Sequence, residues 1–245
     1  MKIKITLILF LITSILFSQK KYSKVIYKKK SILKIKNKND NADILLNKTF
    51  SKMDELEYIL QFNKDISIFK ENEKLSIGNT DNSLPTKLSK IMGGGSGVFY
   101  TELKEGNIYH QKEFESDIFL IKLSKQNNWV LTQEKKQIGD YTCYKATKKD
   151  FFIGSSGNSV EIKIKAWYAP ELPYSFGPLK YNGLPGLILE IENDKVIFYA
   201  SKIILNQSNG KELKKVDKGI KITQKEYDSI TSGLAKDFRE KYNRN

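Results

Sequence analysis

One histidine and one cysteine limit the catalytic chemistry that this 245-residue chain can support. A single histidine excludes multi-histidine metal sites and makes any Ser-His-Asp catalysis depend on His110 alone. A single cysteine excludes disulfides within the chain and cysteine-rich zinc sites. His110 lies in a predicted strand without a clear acidic partner, and Cys143 fits a small buried apolar side chain. No catalytic residue, metal site or cofactor is therefore predicted from either residue.

Paired carboxylates are the remaining route to catalysis, because two acidic side chains facing one cleft can hydrolyse glycosidic bonds. Glu171, Glu190 and Glu192 flank the most unusual segment of the chain. Glu190 and Glu192 are two residues apart, so they share one face of a strand. The solvated face of LILEIE explains both residues without any catalysis and is the favoured interpretation. An envelope hydrolase using these carboxylates is therefore kept as the alternative to a binding protein, which makes an enzyme the less favoured class.

Short strands separated by turn signals must position these side chains. From Val98 onward the runs VFYTELKE, IYHQKEFES, DIFLIKLS, WVLTQEKKQI, YTCYKATKKDF, SVEIKIKAWYA, LILEIE and KVIFYASKIIL alternate with glycine or asparagine turns. Repeated short strands without βαβ alternation predict a mostly β (α+β) fold with a large curved antiparallel sheet, half-barrel-like in form. Upstream, LEYILQFN and ISIFKEN predict a further hairpin.

Two amphipathic helices are predicted outside this strand series. A short N-terminal helix over 42–54 follows from the spacing of Leu45, Leu46, Phe50 and Met53. A C-terminal helix begins near Thr223, where Thr-Gln-Lys-Glu has the form of a capping box. Its apolar stripe consists of Tyr227, Ile230, Leu234 and Phe238. We expect this helix to pack on the sheet.

The N-terminus predicts export. Lys2 and Lys4 precede a run of 13 mostly apolar residues, Ile5 to Phe17, which then ends abruptly at Ser18. This length fits a signal-peptide core and is shorter than the roughly 20 residues of a membrane-spanning helix. We expect a signal peptide over 1–18, a single domain over 19–245, and a periplasmic or extracellular location. No cysteine lies at the junction to carry a lipid, and no later apolar run is long enough to span a membrane.

The charge of +14 is concentrated in one segment. Residues 19–40 contain nine lysines and one aspartate, so they hold +8 of that charge. With period two, Val25, Tyr27, Leu33 and Ile35 fall on one face, and Lys24, Lys28, Lys30, Lys34 and Lys36 on the other. Lys29 breaks the pattern. A strand with a solvated lysine face and an anion-binding strip both remain open, while export and the near-absence of arginine exclude nucleic acid as a partner.

Two glycine-rich segments of the chain are candidates for binding loops. Gly93 to Gly97 predicts a flexible loop, because it lacks both the P-loop ending and the dinucleotide spacing. The second, residues 166–191, is called the signature segment and holds four of the five prolines. Proline and glycine restrict its backbone, so it suits either a preformed binding surface or a structural corner.

Within the signature segment, the run Gly183-Leu184-Pro185-Gly186-Leu187-Ile188 resembles the motif that names the GLPGLI family of exported Bacteroidetes proteins. The runs from Trp129 to Ala146 and from Ala166 to Pro178 are similar to that family as well. No activity of the family carries over. A strand that ends in Trp, followed by a short Leu-Pro turn and further strands, is also similar to the periplasmic lipoprotein-carrier half-barrels. This is an analogy of fold only.

The resulting hypothesis is a non-enzymatic envelope protein that binds an apolar ligand or an outer-membrane partner. The residues that we expect to contact that ligand or partner are Trp167, Tyr168, Pro173, Gly177, Pro178, Gly183, Leu184, Pro185, Gly186 and Leu187. The sequence does not define the oligomeric state.

Overall fold

The fold is analysed in a computed structural model that describes residues 22–33, 41–72, 82–125, 128–153, 158–207 and 212–242. The expected signal peptide over 1–18 lies outside these ranges, as do Lys34, Ile35 and Lys36. None of the helices within the described ranges is both long and apolar enough to cross a membrane.

Fifteen helices and strands follow one another within the described residues. They are β1 (Tyr22–Ser31), α1 (Asn41–Glu55), β2 (Glu57–Phe62), β3 (Ile66–Glu71), α2 (Leu84–Ile91), β4 (Val98–Glu102), β5 (Asn107–Phe114), β6 (Asp117–Leu123), β7 (Val130–Ile138), β8 (Tyr141–Ile153), β9 (Ser159–Ala169), β10 (Leu187–Glu192), β11 (Val196–Gln207), β12 (Ile220–Thr223) and α3 (Gln224–Tyr242). The predicted mostly β class, both amphipathic helices and the strand series are confirmed.

All of these strands join one curved, open sheet in the order β12-β6-β5-β4-β3-β2-β1-β11-β10-β9-β8-β7. Its pairs are antiparallel except for β12 and β6, which run parallel, so the sheet is mixed rather than purely antiparallel. The chain reaches β12 across the outer face of β5, where the Gln111 side-chain amide donates a hydrogen bond to the Lys218 carbonyl at 2.8 Å. That crossing makes the parallel pairing possible without a tight turn.

The core lies on the face of the sheet that the helices and the signature segment cover, called the inner face. Val25, Tyr27, Leu60, Phe69 and Phe198 are all buried there. Tyr58 stacks on Phe69 with 5.5 Å between ring centroids and meets Phe198 edge-on at 5.1 Å. Tyr27 of β1 meets Phe69 edge-on at 6.1 Å, so these aromatic contacts join four neighbouring strands into one cluster, which fixes the register of the sheet centre.

The predicted faces of β1 are confirmed within the strand, whereas Leu33, which was predicted to share the apolar face, lies beyond the end of β1 and is 42% exposed. Val25 and Tyr27 point into the core, and Lys24, Lys28 and Lys30 lie on the opposite, outer face. Lys29, which breaks the period-two pattern, is fully buried on the inner face. The strand occupies the middle of the sheet between β2 and β11, so both of its edges are paired.

The helices differ in how well the sequence predicted them. At the start of α3, Glu226 accepts hydrogen bonds from the Thr223 amide and hydroxyl at 2.7 and 2.8 Å, which confirms the capping box. Tyr227 is buried against Phe119, whereas the side chains of Leu234 and Phe238 lie outside the described part of the helix. Residues 84–91 form α2, a helix that the sequence analysis did not predict.

Candidate functional site

An open cleft of about 500 Å³ lies where β7, β8 and β9 meet the start of the signature segment. It is called the tyrosine cleft, and its walls are Lys135, Thr142, Tyr144, Tyr168, Pro170 and Glu171. The strand register builds it, because Lys135 pairs with Tyr144, which in turn pairs with Tyr168. Directly paired residues point to the same face, so these three side chains stand side by side.

The cleft combines an aromatic floor with a charge of each sign. The Tyr144 and Tyr168 ring centroids are 6.2 Å apart, and the Lys135 ammonium is 5.0 Å from the Tyr144 centroid. Glu171 accepts a long hydrogen bond of 3.4 Å from the Thr142 amide. Burial, followed by the charge of Tyr144, raises the pKa of Tyr168, so its hydroxyl stays protonated at neutral pH. Such groups can hold a partly apolar surface and orient its polar atoms.

The signature segment continues from the cleft as a plug, residues 170–186, that packs on the inner face. Phe176 and Leu184 are buried there, and Phe62 of β2 meets Phe176 at 5.9 Å between ring centroids. The Leu187 amide donates to the Leu172 carbonyl at 2.9 Å, and the Ile188 amide donates to the Phe176 carbonyl at 2.9 Å. These bonds fold the segment back on itself, which places its apolar side chains in the core.

Tyr27 fastens the start of β10, which directly follows the plug, to the centre of the sheet. Its hydroxyl donates a 2.6 Å hydrogen bond to the Ile188 carbonyl, and the two residues are 161 positions apart. Trp129 provides a second tie, since its indole N–H donates to the Asn182 carbonyl at 2.9 Å. A long-range bond of this kind holds the plug in one position relative to the strands.

Two glycines of the plug are required by close packing. A Cβ at Gly186 would collide with the Ala169 carbonyl, and one at Gly177 would come within 2.7 Å of the Ile188 side chain. The backbone can approach β9 and β10 closely only because both positions lack a side chain. This requirement explains the glycine pattern of the segment in structural terms.

The predicted binding residues divide into two groups by exposure. Gly177, Pro178, Leu184, Gly186 and Leu187 are buried, and Tyr168 is 5% exposed at the floor of the cleft. By contrast, Pro173, Gly183 and Pro185 are exposed; together they are called the proline rim. The rim adjoins the cleft, because Gly186 packs directly against the Pro170 backbone. The prediction that these residues contact a ligand or partner stays a prediction.

Trp167 lies on the other face of β9, in a set of ion pairs. The Lys136 ammonium is 4.6 Å from the Trp167 ring and 2.7 Å from a Glu190 carboxylate oxygen. Glu192 is held in the same way by Lys165 at 2.6 Å. Trp167 thus stabilises the outer face through packing and a cation–π contact, away from the cleft.

These pairs bear directly on the hydrolase alternative. A glycosidase requires one carboxylic acid and one carboxylate facing the same substrate. Glu190 and Glu192 each bind a lysine on the outer face, whereas Glu171 borders the tyrosine cleft. No arrangement of these three groups in the structure supports acid–base catalysis.

The half-buried His110 and the buried Cys143 are both parts of the framework. His110 stacks on Phe99 with 3.9 Å between ring centroids, and its Nε2 is 2.8 Å from the Ser96 carbonyl oxygen. Burial lowers its pKa to about 4, so the ring is neutral and its Nε2–H donates to that carbonyl. Burial raises the pKa of Cys143 to about 11, which keeps the thiol protonated and unreactive.

The buried Lys29 is a feature that the sequence did not predict. Its ammonium donates to the carbonyls of Ser89 and Gly94 at 2.9 and 2.8 Å, and to that of Lys90 at 3.4 Å. Two of these carbonyls belong to the last turn of α2, where a cation stabilises the helix dipole. The sequence signal that could have indicated this burial is that Lys29 breaks the period-two pattern of lysines in β1.

A second unpredicted group surrounds Asp150 beside the plug. Lys180 forms an ion pair with Asp150 at 2.8 Å, and the Tyr181 hydroxyl donates to the same carboxylate at 3.1 Å. Burial opposes ionisation of Asp150, but the charge of Lys180 and its hydrogen bond lower the carboxyl pKa overall. The group ties the plug to β8 and so acts as structural support.

Comparisons with known proteins agree with the fold and leave the activity open. A family model described as "Protein of unknown function (Porph_ging)" matches residues 155–190, which include most of the signature segment. No curated protein matches the chain. The structure of PNGF-II in space group P21 superposes with a TM-score of 0.52 at 14% identity over 86% of this chain.

The C2 crystal form of PNGF-II gives a TM-score of 0.48 at 15% identity, over 85% of this chain and 32% of that one. In the P21 form the match covers 33% of PNGF-II, so this chain spans about a third of that protein's length. At this level of identity the likeness shows a shared fold only.

Proposed function

We propose that the chain is an exported, non-catalytic binding protein that docks another envelope protein at the tyrosine cleft and proline rim. The observation that carries the proposal is the division of the plug into buried anchors and exposed prolines. Leu184 and Phe176 fix the segment in the core, while Pro173 and Pro185 face solvent from that fixed backbone. A surface that is already ordered loses little conformational entropy when it binds, so modest contacts can give useful affinity.

The chemistry of the cleft suits a protein partner. Tyrosines are enriched in protein interfaces because each ring offers a large apolar area and a hydroxyl for hydrogen bonding. Tyr144 and Tyr168 supply these areas, and Lys135 and Glu171 provide charges at the margin. A partner segment with an apolar side chain flanked by charged groups would satisfy all four residues.

An apolar ligand inside the curved sheet is less well supported. A half-barrel carrier needs an open concave face, but Phe176, Leu184 and Tyr181 of the plug are buried against the inner face here. A lipid could enter only by displacing the plug, which would break the hydrogen bonds from the Leu187 and Ile188 amides to the Leu172 and Phe176 carbonyls. The protein-partner form of the proposal needs no such rearrangement.

Export is the second part of the proposal and rests on the leader pattern at residues 1–18. Cleavage after Ser18 gives a chain that begins at Gln19 and contains every described residue. N-terminal sequencing of the protein recovered from the periplasmic fraction tests this directly. Recovery of the intact N-terminus in the cytosol would overturn the export proposal.

Affinity capture of a tagged chain from its native envelope tests the docking site. The variant P173S/P185S alters the rim without removing a buried side chain, so its thermal unfolding midpoint should stay close to that of the wild type. We expect it to lose one specific captured protein, whose direct binding to the purified wild-type chain is then measured. The matched control L84S changes another exposed apolar residue, Leu84, on α2 and should retain that protein.

Two results would overturn the docking proposal. One is a captured set that is identical for the wild type and P173S/P185S. The other is that P173S/P185S and L84S lose the captured protein to the same extent, because that result would indicate nonspecific apolar adhesion. If P173S/P185S unfolds instead, Y144S, which alters the half-buried cleft wall, replaces it in the same assay.

A further inference from the structure

We propose that the outer face of the central strands binds the anionic headgroups of a phospholipid surface. Five lysines form this surface, which is called the basic face: Lys24, Lys28, Lys30, Lys70 and Lys202. They belong to β1, β3 and β11, which lie together in the middle of the sheet. The basic face is separate from the tyrosine cleft and rests on none of the arguments for docking there.

Strand register brings these lysines together. Lys70 pairs with Ile59, Ile59 with Ile26, and Ile26 with Lys202, which gives one row across four strands. At about 4.8 Å per strand, the two lysines of this row lie about 14 Å apart. Lys24, Lys28 and Lys30 extend the surface along β1 over roughly 20 Å.

A β-bulge completes the basic face. The register between β1 and β11 shifts between Ile26 and Tyr27, so Lys202 pairs with Ile26 whereas Ala200 pairs with Tyr27. Without this shift, the alternation that places Tyr199 on the outer face would turn Lys202 towards the core. The irregularity therefore adds one more cation to the outer face.

The lysines of the basic face have no carboxylate partner among the described residues. Elsewhere on the outer face, Lys136, Lys145, Lys149 and Lys165 are each paired with a glutamate. The carboxylates nearest the basic face are engaged with other groups. Glu190 and Glu192 bind Lys136 and Lys165. Glu57 pairs with Lys28 in the strand register and shares its face, but it forms no ion pair with Lys28 among the described contacts and accepts a hydrogen bond of 3.4 Å from Asn72.

Unpaired lysines on neighbouring strands repel one another, so an external anion would lower their mutual repulsion. Lys30, Lys70 and Lys202 are exposed, and Lys24 and Lys28 are half-buried with room for their ammonium groups to reach solvent. The positive potential of this face is therefore available to a large anionic surface.

The residues between the lysines favour lipid over other polyanions. Half-buried isoleucines separate them, namely Ile26, Ile59, Ile68, Ile197 and Ile204, with Tyr199 beside Lys30. Aliphatic side chains and tyrosine suit the boundary between headgroups and acyl chains, while lysine binds phosphate as a point charge. No arginine lies among the described residues of this face to supply the bidentate forks that recognise nucleic acids.

The shape of the sheet agrees with this assignment. A curved sheet that encloses its plug on the inner face presents the middle of its outer face to a flat surface. In this sheet, β1 has five strands on one side and six on the other, so its lysines lie at that point of contact.

Vesicle sedimentation tests the proposal with the chain from Gln19 onward. The probes are phosphatidylcholine vesicles with and without phosphatidylglycerol, and we expect binding only to the latter, weakening as salt increases. Each lysine at an anionic membrane contributes about a fivefold change in affinity, so K28Q/K70Q/K202Q should bind on the order of a hundredfold more weakly. K28R/K70R/K202R should bind as the wild type does.

A control with the same change in net charge makes the result specific. K145Q/K149Q/K165Q removes three ion-paired lysines from the outer face and should retain most of the affinity. The proposal would be overturned if both triple variants lost the same amount of vesicle affinity, or if the wild type did not bind phosphatidylglycerol vesicles. Binding to dextran sulfate without binding to vesicles would also overturn it, since that result assigns the basic face to an acidic polysaccharide.

Discussion

Replacing the buried Lys29 with methionine should change how the free energy of unfolding depends on pH. Burial lowers the pKa of Lys29 from its usual 10.5 to about 7, against the opposing charge of Glu71. Between these values the unfolded chain binds one proton that the folded chain lacks, so stability rises with pH. The slope approaches about 1.4 kcal/mol per pH unit once the folded Lys29 has lost its proton, so the rise from pH 7 to pH 9 is about 2 kcal/mol.

Removing the amine in K29M should abolish this rise, because no group at position 29 then titrates. The methionine also ends the hydrogen bonds to Ser89, Lys90 and Gly94, which loosens the connection between α2 and the sheet. We therefore expect the difference in stability between wild type and K29M to grow steadily in favour of the wild type from pH 7 to pH 9.

Urea unfolding followed by tryptophan fluorescence at pH 7, 8 and 9 measures both slopes. Subtraction of the two curves cancels groups common to both proteins, such as Cys143, whose raised pKa lowers stability above pH 9. The control K30M removes the neighbouring exposed lysine and should keep the wild-type slope. Identical slopes in wild type and K29M would refute the reasoning, because they would show that the three carbonyls keep Lys29 charged despite burial.

The other predictions concern the plug and its attachment. Y27F removes the hydroxyl that binds the Ile188 carbonyl and should cost about 1–3 kcal/mol in urea unfolding. Y58F is its matched control, since the Tyr58 hydroxyl is buried without a hydrogen-bond partner among the described residues, and its loss should be neutral or stabilising. L184A should cost about 2–5 kcal/mol, because the side chain is 1% exposed. G186A should lower the thermal midpoint through collision with the backbone of β9, and an unchanged midpoint would contradict the packing argument.

Local patterns predicted most elements of the fold. Alternating side chains gave β2, β3 and the strands from β4 to β11, and the Thr223–Glu226 capping box located the start of α3. Both signals depend on residues close together in sequence, so no knowledge of tertiary structure is needed. The parallel pairing of β12 with β6 depends on the path of 212–219 across the sheet, which no local pattern encodes.

The helix α2 was missed because its surroundings have the composition of a loop. Leu84, Leu88 and Ile91 are spaced like one helix face, but Pro85 and the glycines that follow predict a turn. In the folded chain Pro85 lies at the first turn of α2, where it is tolerated, and Gly95 packs against Tyr58. The glycine cluster is thus a close-packed cover over the core.

The sequence identified the stretch of chain that forms part of the candidate site, but not which of its residues face solvent. Proline and glycine content identified residues 166–191 as rigid, yet buried and exposed members alternate there without a regular period. Leu184 and Pro185 are neighbours in sequence, and only Pro185 faces solvent. That separation depends on the long-range bond from Tyr27 and on contacts with Phe62, both supplied by strands far away in the sequence.

A single strand supports both of the proposed surfaces. The inward residues of β1, Tyr27 and Lys29, hold the plug and the end of α2, whereas the outward Lys28 and Lys30 belong to the basic face. Because alternation separates these roles, the two surfaces lie on opposite faces of the sheet and can be occupied together. The rim variant P173S/P185S should therefore keep its affinity for anionic vesicles, and K28Q/K70Q/K202Q should still capture the protein partner. Loss of both activities in either variant would show that the two surfaces form one site.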